Sequence, residues 1–170
     1  ENAFLKKAEK IKYIHGKISI KENILSENIY AETNEDMLEA LKKEIKNADL
    51  LIMAAAVNDF KPEYSNNKIK RKKDKISIDL NSNIDILMEL SKIKTSILKI
   101  GFALESENIE ENGLKKLKEK NLDYIVINSP EIIGKKNGRV TVLSKSGKKL
   151  EIQDSFKFEI ADKVLEWIKF

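Results

Sequence analysis

The chain has 170 residues, of which 41% are hydrophobic and 35% charged, and this mixture is typical of one globular domain rather than a disordered or low-complexity chain. It contains no cysteine and a single histidine, His15, which excludes disulfides, thiolate metal sites and His-rich metal clusters. The net charge is +4. No apolar run is long enough to span a membrane, and the chain does not begin with a signal-peptide pattern. We therefore expect a soluble, cytoplasmic protein.

Short apolar strands alternate with amphipathic helices along the chain, a pattern that predicts an α/β fold. The first strand is expected at residues 11–15, and Thr33 with Asp36 forms a capping box for the helix that follows. Residues 50–57 are continuously apolar, as expected of a strand in the middle of a parallel sheet. An alternating, half-exposed strand is predicted at 76–80 and a short helix at 84–90.

The second half of the sequence continues the same alternation. A buried strand at 97–103, a helix at 109–120 and a buried strand at 124–128 are followed by a hairpin that pairs 139–143 with 149–153. A closing helix presents an inward apolar stripe, formed by Ala161, Val164, Leu165 and Ile168. We therefore predict a Rossmann-like, mostly parallel sheet flanked by helices, with a basic flap or strand arm and a C-terminal hairpin plus helix. Residues 1–10 have the pattern of the end of a helix, which suggests that the chain begins inside its domain.

Residues 66–75 concentrate the positive charge of the chain. All but two of the 32 basic residues are lysine. This segment carries six basic residues and one acidic residue, Asp74, so its net charge of +5 exceeds the +4 of the whole chain. Such a field suits nucleotide phosphates or nucleic acid. Lys68 and Lys70 alternate along it, which fits a flap over an anionic ligand and equally a charged edge that resists aggregation.

Ligands of open parallel sheets bind at the carboxyl ends of the strands, and three predicted strand ends are suggestive. Ala54, Ala55 and Ala56 would let a flat ligand approach the backbone, with Asp59 as an acceptor, although these alanines fit equally well under a helix and Asp59 equally well in a turn. Phe102 follows Gly101 and fits either a base or the core, and Asn128 ends the third strand.

Two further features of the sequence bear on phosphate binding. Lys116 and Lys120 lie four residues apart, so they share a helix face and are able to converge on phosphates, although a solvated face is the common explanation. No P-loop and no G-x-G-x-x-G fingerprint is present. His15, alone at a strand end, fits a structural role.

Five ordered motifs give the chain a family resemblance: A-A-A-V-N-D-F-K-P at 54–62, K-I-K-R at 68–71, N-I-D-I-L at 83–87, G-F-A-L-E-S-E at 101–107 and K-N-L-D-Y-I-V-I-N at 120–128. In this order and spacing they resemble phosphopantothenoylcysteine synthetase, which is often the carboxyl-terminal half of a bifunctional flavoprotein. The resemblance implies ligation of 4'-phosphopantothenate to cysteine with CTP, through an acyl-cytidylate, in coenzyme A biosynthesis. Mg²⁺ would accompany the triphosphate, and FMN is implied only if a decarboxylase domain precedes this one.

The resemblance also assigns roles to residues. Lys68 corresponds to the flap lysine that promotes turnover of the acyl-cytidylate, and is the implied catalytic residue. The implied CTP contacts, with Ile84 replacing the family's proline, are Met53, Ala54, Ala55, Asp59, Lys68, Ile84, Asp85, Ile86, Leu87, Phe102, Lys116 and Lys120. Ala56 and Asn128 are implied to contact the acid substrate, and no metal ligand is indicated. The family is dimeric, so a homodimer is expected, without nucleic-acid or membrane partners.

One departure from the family concerns the segments that the chain does not contain. The family opens with a strand, a Gly-Gly-Thr-type turn and an Asn-x-Ser-Ser-Gly-Lys-Met-Gly segment. Residues 1–170 are therefore expected to form one CTP-binding ligase domain without its first strand and substrate loop, with little or no activity alone. Two alternatives remain open: a nucleic-acid-binding module that uses residues 66–75 as its arm, and a dimerisation fragment without catalysis.

Overall fold

The structure, a computed structural model, describes residues 8–17, 27–64, 77–130 and 134–169. In the first half of the chain the elements are β1 (Lys12–His15), β2 (Glu27–Tyr30), α1 (Asn34–Glu44), β3 (Leu50–Met53), β4 (Phe60–Pro62), β5 (Leu80–Ser82) and α2 (Ile86–Ser91). In the second half they are β6 (Leu98–Leu104), α3 (Ile109–Glu119), β7 (Tyr124–Asn128), β8 (Asn137–Ser144), β9 (Lys149–Phe156) and α4 (Lys157–Ile168).

A five-stranded sheet in the order β3-β6-β7-β8-β9 forms the centre of the molecule. Strands β3, β6 and β7 are parallel, whereas β8 and β9 continue the sheet as an antiparallel hairpin. Two smaller pairs stand beside it, β1 with β2 in parallel and β4 with β5 antiparallel. The α/β class and the mostly parallel sheet flanked by helices are confirmed.

Side chains alternate between the two faces of the sheet and build two separate cores. On one face, Ile125 and Ile127 of β7 pack with the buried residues of α1, α2 and α3. On the other face, Val126 packs with the apolar stripe of α4. Because β7 is covered on both faces, its sequence is a continuous apolar run rather than an alternating one.

Helix α1 begins as the capping-box motif predicts. The Asp36 N–H donates to Thr33 Oγ1 at 3.1 Å, and the Thr33 N–H donates to Asp36 Oδ2 at 3.0 Å. These bonds pair backbone N–H groups that have no partner within the helix. Ala161 apart, the predicted inward stripe of the closing helix is buried in α4.

The apolar segment at 50–57 is the clearest correction to the sequence-based fold. Its strand ends at Met53, and within the described residues β3 pairs only with β6, at the edge of the five-stranded sheet rather than in its middle. Leu50, Leu51 and Ile52 are only partly buried. A continuous apolar run predicts burial on both faces, but the alanines that lengthen this run form the exposed loop after the strand.

Three smaller differences concern short strands. Strand β2 has the sequence E-N-I-Y, whose one aliphatic residue, Ile29, lies between polar neighbours and gives no strand pattern. Residues 60–62, expected only to break a strand, form β4. The strand expected at 76–80 lies instead at Leu80–Ser82, because pairing with β4 sets its position. Of residues 1–10, only 8–10 are described, and they are not helical.

Candidate functional site

The carboxyl ends of the parallel strands β3, β6 and β7 meet at one edge of the sheet. Met53 pairs with Gly101, so Ala54 leaves the sheet at the level of Phe102. Ala54, Ala55 and Ala56 are exposed in the loop that follows β3, and Phe102 is 41% exposed. Small side chains beside an exposed aromatic ring leave room for a flat group against the backbone.

Two asparagines connect the loop after β3 to the segment before α2. Asn34 donates through Nδ2 to the Asn58 carbonyl at 3.2 Å and to the Ile84 carbonyl at 3.3 Å. The Asn83 N–H donates to the Asp59 carbonyl at 2.7 Å. These bonds hold Asp59 and residues 83–87 side by side, and no sequence motif singled out Asn34 for this role.

Asp85 has two partners. Its Oδ1 accepts the Met88 N–H at 3.0 Å and so caps α2, while Oδ2 lies 2.9 Å from Lys120 Nζ. Burial by itself would raise the pKa of Asp85, but hydrogen bonds from Lys120 and Met88 outweigh it, and the pKa lies below its usual value. The ion pair joins the segment before α2 to the end of α3.

Lys116, one turn earlier on α3, faces the end of β6. Its Nζ lies 2.5 Å from Glu105 Oε1. The Asn112 side chain donates to the other oxygen, Glu105 Oε2, at 3.2 Å. Glu105 belongs to the G-F-A-L-E-S-E motif, but sequence reasoning gave it no role.

Several of the side chains predicted to contact CTP point into the core. Met53, Ile86 and Leu87 are buried among the residues that pack under α1 and α2, and Ile84 packs against them. Only the main-chain atoms at these positions are left to face a ligand. Gly101 likewise serves packing, because a Cβ there would lie 2.5 Å from Leu122 Cδ1.

The two positions expected to contact the acid substrate differ in accessibility. Ala56 is exposed. Asn128, at the end of β7, is partly buried, and its Oδ1 is a buried oxygen without a hydrogen-bond partner. An unpaired buried acceptor is costly, so this oxygen is available to a donor from a bound molecule.

The whole basic segment at 66–75, Lys68 included, lies outside the described residues. Among the residues that the structure does describe, no group of three or more His, Cys, Asp or Glu side chains is arranged to hold a metal ion.

No helix within the described ranges is long and apolar enough to cross a membrane. His15 lies at the end of β1, where its Nδ1 is 2.8 Å from the Gly16 carbonyl and its ring stacks on Tyr13. These contacts fit the structural role expected for it.

The architecture and the loop-lined carboxyl edge define a Rossmann-like α/β domain of the kind that binds ligands at strand ends. The family model for the DNA/pantothenate metabolism flavoprotein C-terminal domain matches residues 2–170. The chain belongs to this family.

Individual relatives agree with this assignment. The coenzyme A biosynthesis bifunctional protein CoaBC of Bacillus subtilis is 34% identical over 149 residues, which are 85% of this chain and 37% of that protein. The crystal structure of the C-terminal domain of a CoaBC protein is 32% identical and superposes with a TM-score of 0.78 over 94% of this chain and 73% of that one. A complex of the Cab2 mutant H337A with phosphopantothenate-cysteine shares the fold, with 20% identity, a TM-score of 0.68 and coverage of 85% of this chain and 52% of that one. The chain thus spans about two fifths of the length of the curated relative.

Proposed function

We propose that this chain is the ligase domain that joins 4'-phosphopantothenate to cysteine with CTP, giving phosphopantothenoylcysteine, CMP and pyrophosphate in coenzyme A biosynthesis. Membership of the family and similarity to CoaBC support this proposal. The Cab2 complex adds a neighbour of the same fold that binds phosphopantothenate-cysteine, the product of that ligation.

The reaction has two balanced steps. A carboxylate oxygen of phosphopantothenate attacks the α-phosphorus of CTP, a new P–O bond forms, and the bond to the leaving pyrophosphate breaks. The cysteine amine then attacks the acyl carbon of the acyl-cytidylate, the C–O bond to CMP breaks, and the amine loses its proton to solvent. A carboxylate attacking a triphosphate requires charge neutralisation more than proton transfer, which suits a site with lysines and no histidine pair.

The observation that carries the proposal is the arrangement of the carboxyl edge. The exposed loop with Ala54 and Ala55 lies beside Phe102, and Asp85 joins the neighbouring segment to α3 through Lys120. In our proposal the loop backbone and Asp59 hold the nucleoside, Phe102 lies against it, and Lys116 and Lys120 face the phosphates. Ala56 and Asn128 contact the acid substrate.

Two contributions come from groups outside the described residues. Lys68 is proposed to close on the acyl-cytidylate and promote its turnover. Mg²⁺ bound to the triphosphate would supply further neutralisation of phosphate charge.

An acceptor-lined pocket would distinguish cytosine, which presents an amine, from uracil, which presents a carbonyl.

The same proposal includes the context of the enzyme. We infer a cytoplasmic protein, in line with relatives named for coenzyme A biosynthesis, and a homodimer, as the family resemblance implies. FMN would belong only to a decarboxylase domain of a fused protein.

The test measures CMP release from CTP in the presence of phosphopantothenate and cysteine. The complete gene product that contains this chain is assayed beside the 170-residue chain, with ATP in place of CTP and a Lys68→Ala variant as controls. We expect release that needs both substrates, accumulation of acyl-cytidylate in the variant, and little or no activity from the 170-residue chain.

Other outcomes separate the alternatives. No CMP release by the complete protein with either nucleotide contradicts the ligase. Salt-dependent binding of nucleic acid in that case would indicate a binding module that uses residues 66–75. Self-association without nucleotide binding would indicate a dimerisation fragment.

A further inference from the structure

The two lysines of α3 at the carboxyl edge are held by carboxylates in opposite ways. In the first pair the Glu105 side chain is 12% exposed and Lys116 is 41% exposed. In the second pair the order is reversed, with Lys120 at 25% and Asp85 at 43%. The first pair therefore buries its carboxylate and turns its ammonium outward, whereas the second turns its carboxylate outward.

Glu105 is fixed from several directions. It follows β6 directly, and its N–H extends the ladder by donating to the Asn128 carbonyl at 2.9 Å. Asn112 Nδ2 donates to its carboxylate and also to the Glu107 carbonyl at 3.1 Å. Since Asn112 and Lys116 lie four residues apart, both reach the carboxylate from the same face of α3.

A buried carboxylate is stable only when charge and hydrogen bonds compensate it. Lys116 supplies the charge beside Oε1, and Asn112 supplies the hydrogen bond to Oε2, while Oε1 itself accepts no hydrogen bond. An ammonium group has three N–H donors, and the contact with Glu105 is an ion pair in which Oε1 accepts no hydrogen bond. The donors of Lys116 therefore remain for a ligand at the carboxyl edge, on a side chain whose freedom the ion pair restricts.

We propose that Glu105 is a positioning residue that holds the Lys116 ammonium ready for a phosphate group of the nucleotide. This assignment rests on the proposed function and extends it, because nothing in the family resemblance gave Glu105 a role. Pre-ordering a long, flexible side chain lowers the entropy that binding must cost.

The experiment uses the complete gene product and compares Glu105→Gln, Lys116→Met and the double variant. Glu111→Gln is the matched control, since it removes the same charge from the exposed first turn of α3. The measurements are KM for CTP and for phosphopantothenate, kcat, calorimetric titration with CTP alone, and thermal melting.

We expect Glu105→Gln to raise KM and Kd for CTP on the order of tenfold, within the range of couplings in one ion-pair network, and to leave KM for phosphopantothenate unchanged. In the Lys116→Met background the same substitution should have no further effect on CTP. Glu111→Gln should behave as the starting protein. Asn112→Ser, which removes one clamp and leaves the ion pair, should raise the CTP constants less, and it carries the test if Glu105→Gln does not fold.

The opposite results overturn the assignment. Tighter CTP binding by Glu105→Gln would mean that Glu105 competes with phosphate for Lys116, and unchanged binding would mean that Glu105 does not position Lys116. An equal loss in the Lys116→Met background would mean that it acts through another group. If the variants change CTP binding as expected but the wild-type protein releases no CMP, the ligase is contradicted and the positioning role is upheld. If the wild-type protein does not bind CTP at all, both are contradicted.

Discussion

At the scale of single residues, Asp85 shows how one side chain serves both local and tertiary structure. It caps α2 through the Met88 N–H and pairs with Lys120 of α3. The sequence N-I-D-I-L suggested a nucleotide contact at this position. The structure adds that the carboxylate already has two partners, so a ligand here would contact a group that already links α2 to α3.

We expect Asp85→Ala to lower the free energy of unfolding by about 1 kcal/mol or somewhat more, since loss of an N-cap alone typically costs about that much. Asp85→Asn should cost less, because asparagine caps helices well and only the ion pair is lost. Urea unfolding of the two variants checks this order. Equal losses for both would show that the ion pair, and not the cap, is what stabilises this segment.

At the scale of secondary-structure elements, the packing of α3 on β7 depends on a helical glycine. Gly113 is buried in the middle of α3, where a Cβ would overlap Ile127 Cδ1 and lie 3.1 Å from Leu143 Cδ1. Glycine disfavours a helix interior by about 1 kcal/mol relative to alanine, so close approach of helix and sheet is the reason for it here. This approach brings Asn112 and Lys116 to the end of β6.

Gly113→Ala should therefore destabilise the protein by about 1–2 kcal/mol, because overpacking of the core outweighs the gain in helix propensity. Adding Ile127→Val, which removes the overlapping methyl group, should restore part of the loss. Thermal melting of the single and double variants measures the coupling. A Gly113→Ala variant as stable as the parent, or a double variant with additive losses, would contradict the overlap.

At the scale of the whole molecule, exposed ion pairs and capping interactions set the response to acid. Glu27 accepts from Lys10, Glu35 from Lys61, and Asp36 from Thr33, and each of these bonds lowers the carboxyl pKa. Asp85 has a lowered pKa as well. A carboxyl group with a lower pKa in the folded state binds fewer protons there than in the unfolded state. The free energy of unfolding therefore rises with pH across the range in which these carboxyl groups titrate.

We expect the urea midpoint to hold steady near neutral pH and to fall once the pH drops below the usual carboxyl values of 4.5 and 3.8. The contribution of these groups disappears as the pH passes their lowered folded-state pKa values. Lys12 and Lys149 have raised pKa values through hydrogen bonds to Glu44 and Glu110, so their contribution is lost only as pH rises above 10.5. A urea midpoint that stays constant or increases on acidification would contradict the lowered pKa values of these carboxyl groups.

Features that depend on neighbours along the chain could be predicted from the order of the amino acids. The capping box at Thr33, the period of the helices, the apolar strand at β7 and the C-terminal hairpin all follow from local hydrogen bonding and hydrophobic periodicity. The ordered motifs likewise predicted the family from the identity and spacing of residues, without any contact between them.

Contacts between distant segments depend on the folded arrangement and not on any local pattern. In the folded protein β3 lies at the edge of the five-stranded sheet, and Met53, Ile86 and Leu87 are buried in the core. Lys116 pairs with Glu105. The physical reason is that strand order, side-chain burial and ion pairing depend on which surfaces meet after folding. An apolar run or a pair of lysines four residues apart carries the same local signal whichever partner it finds.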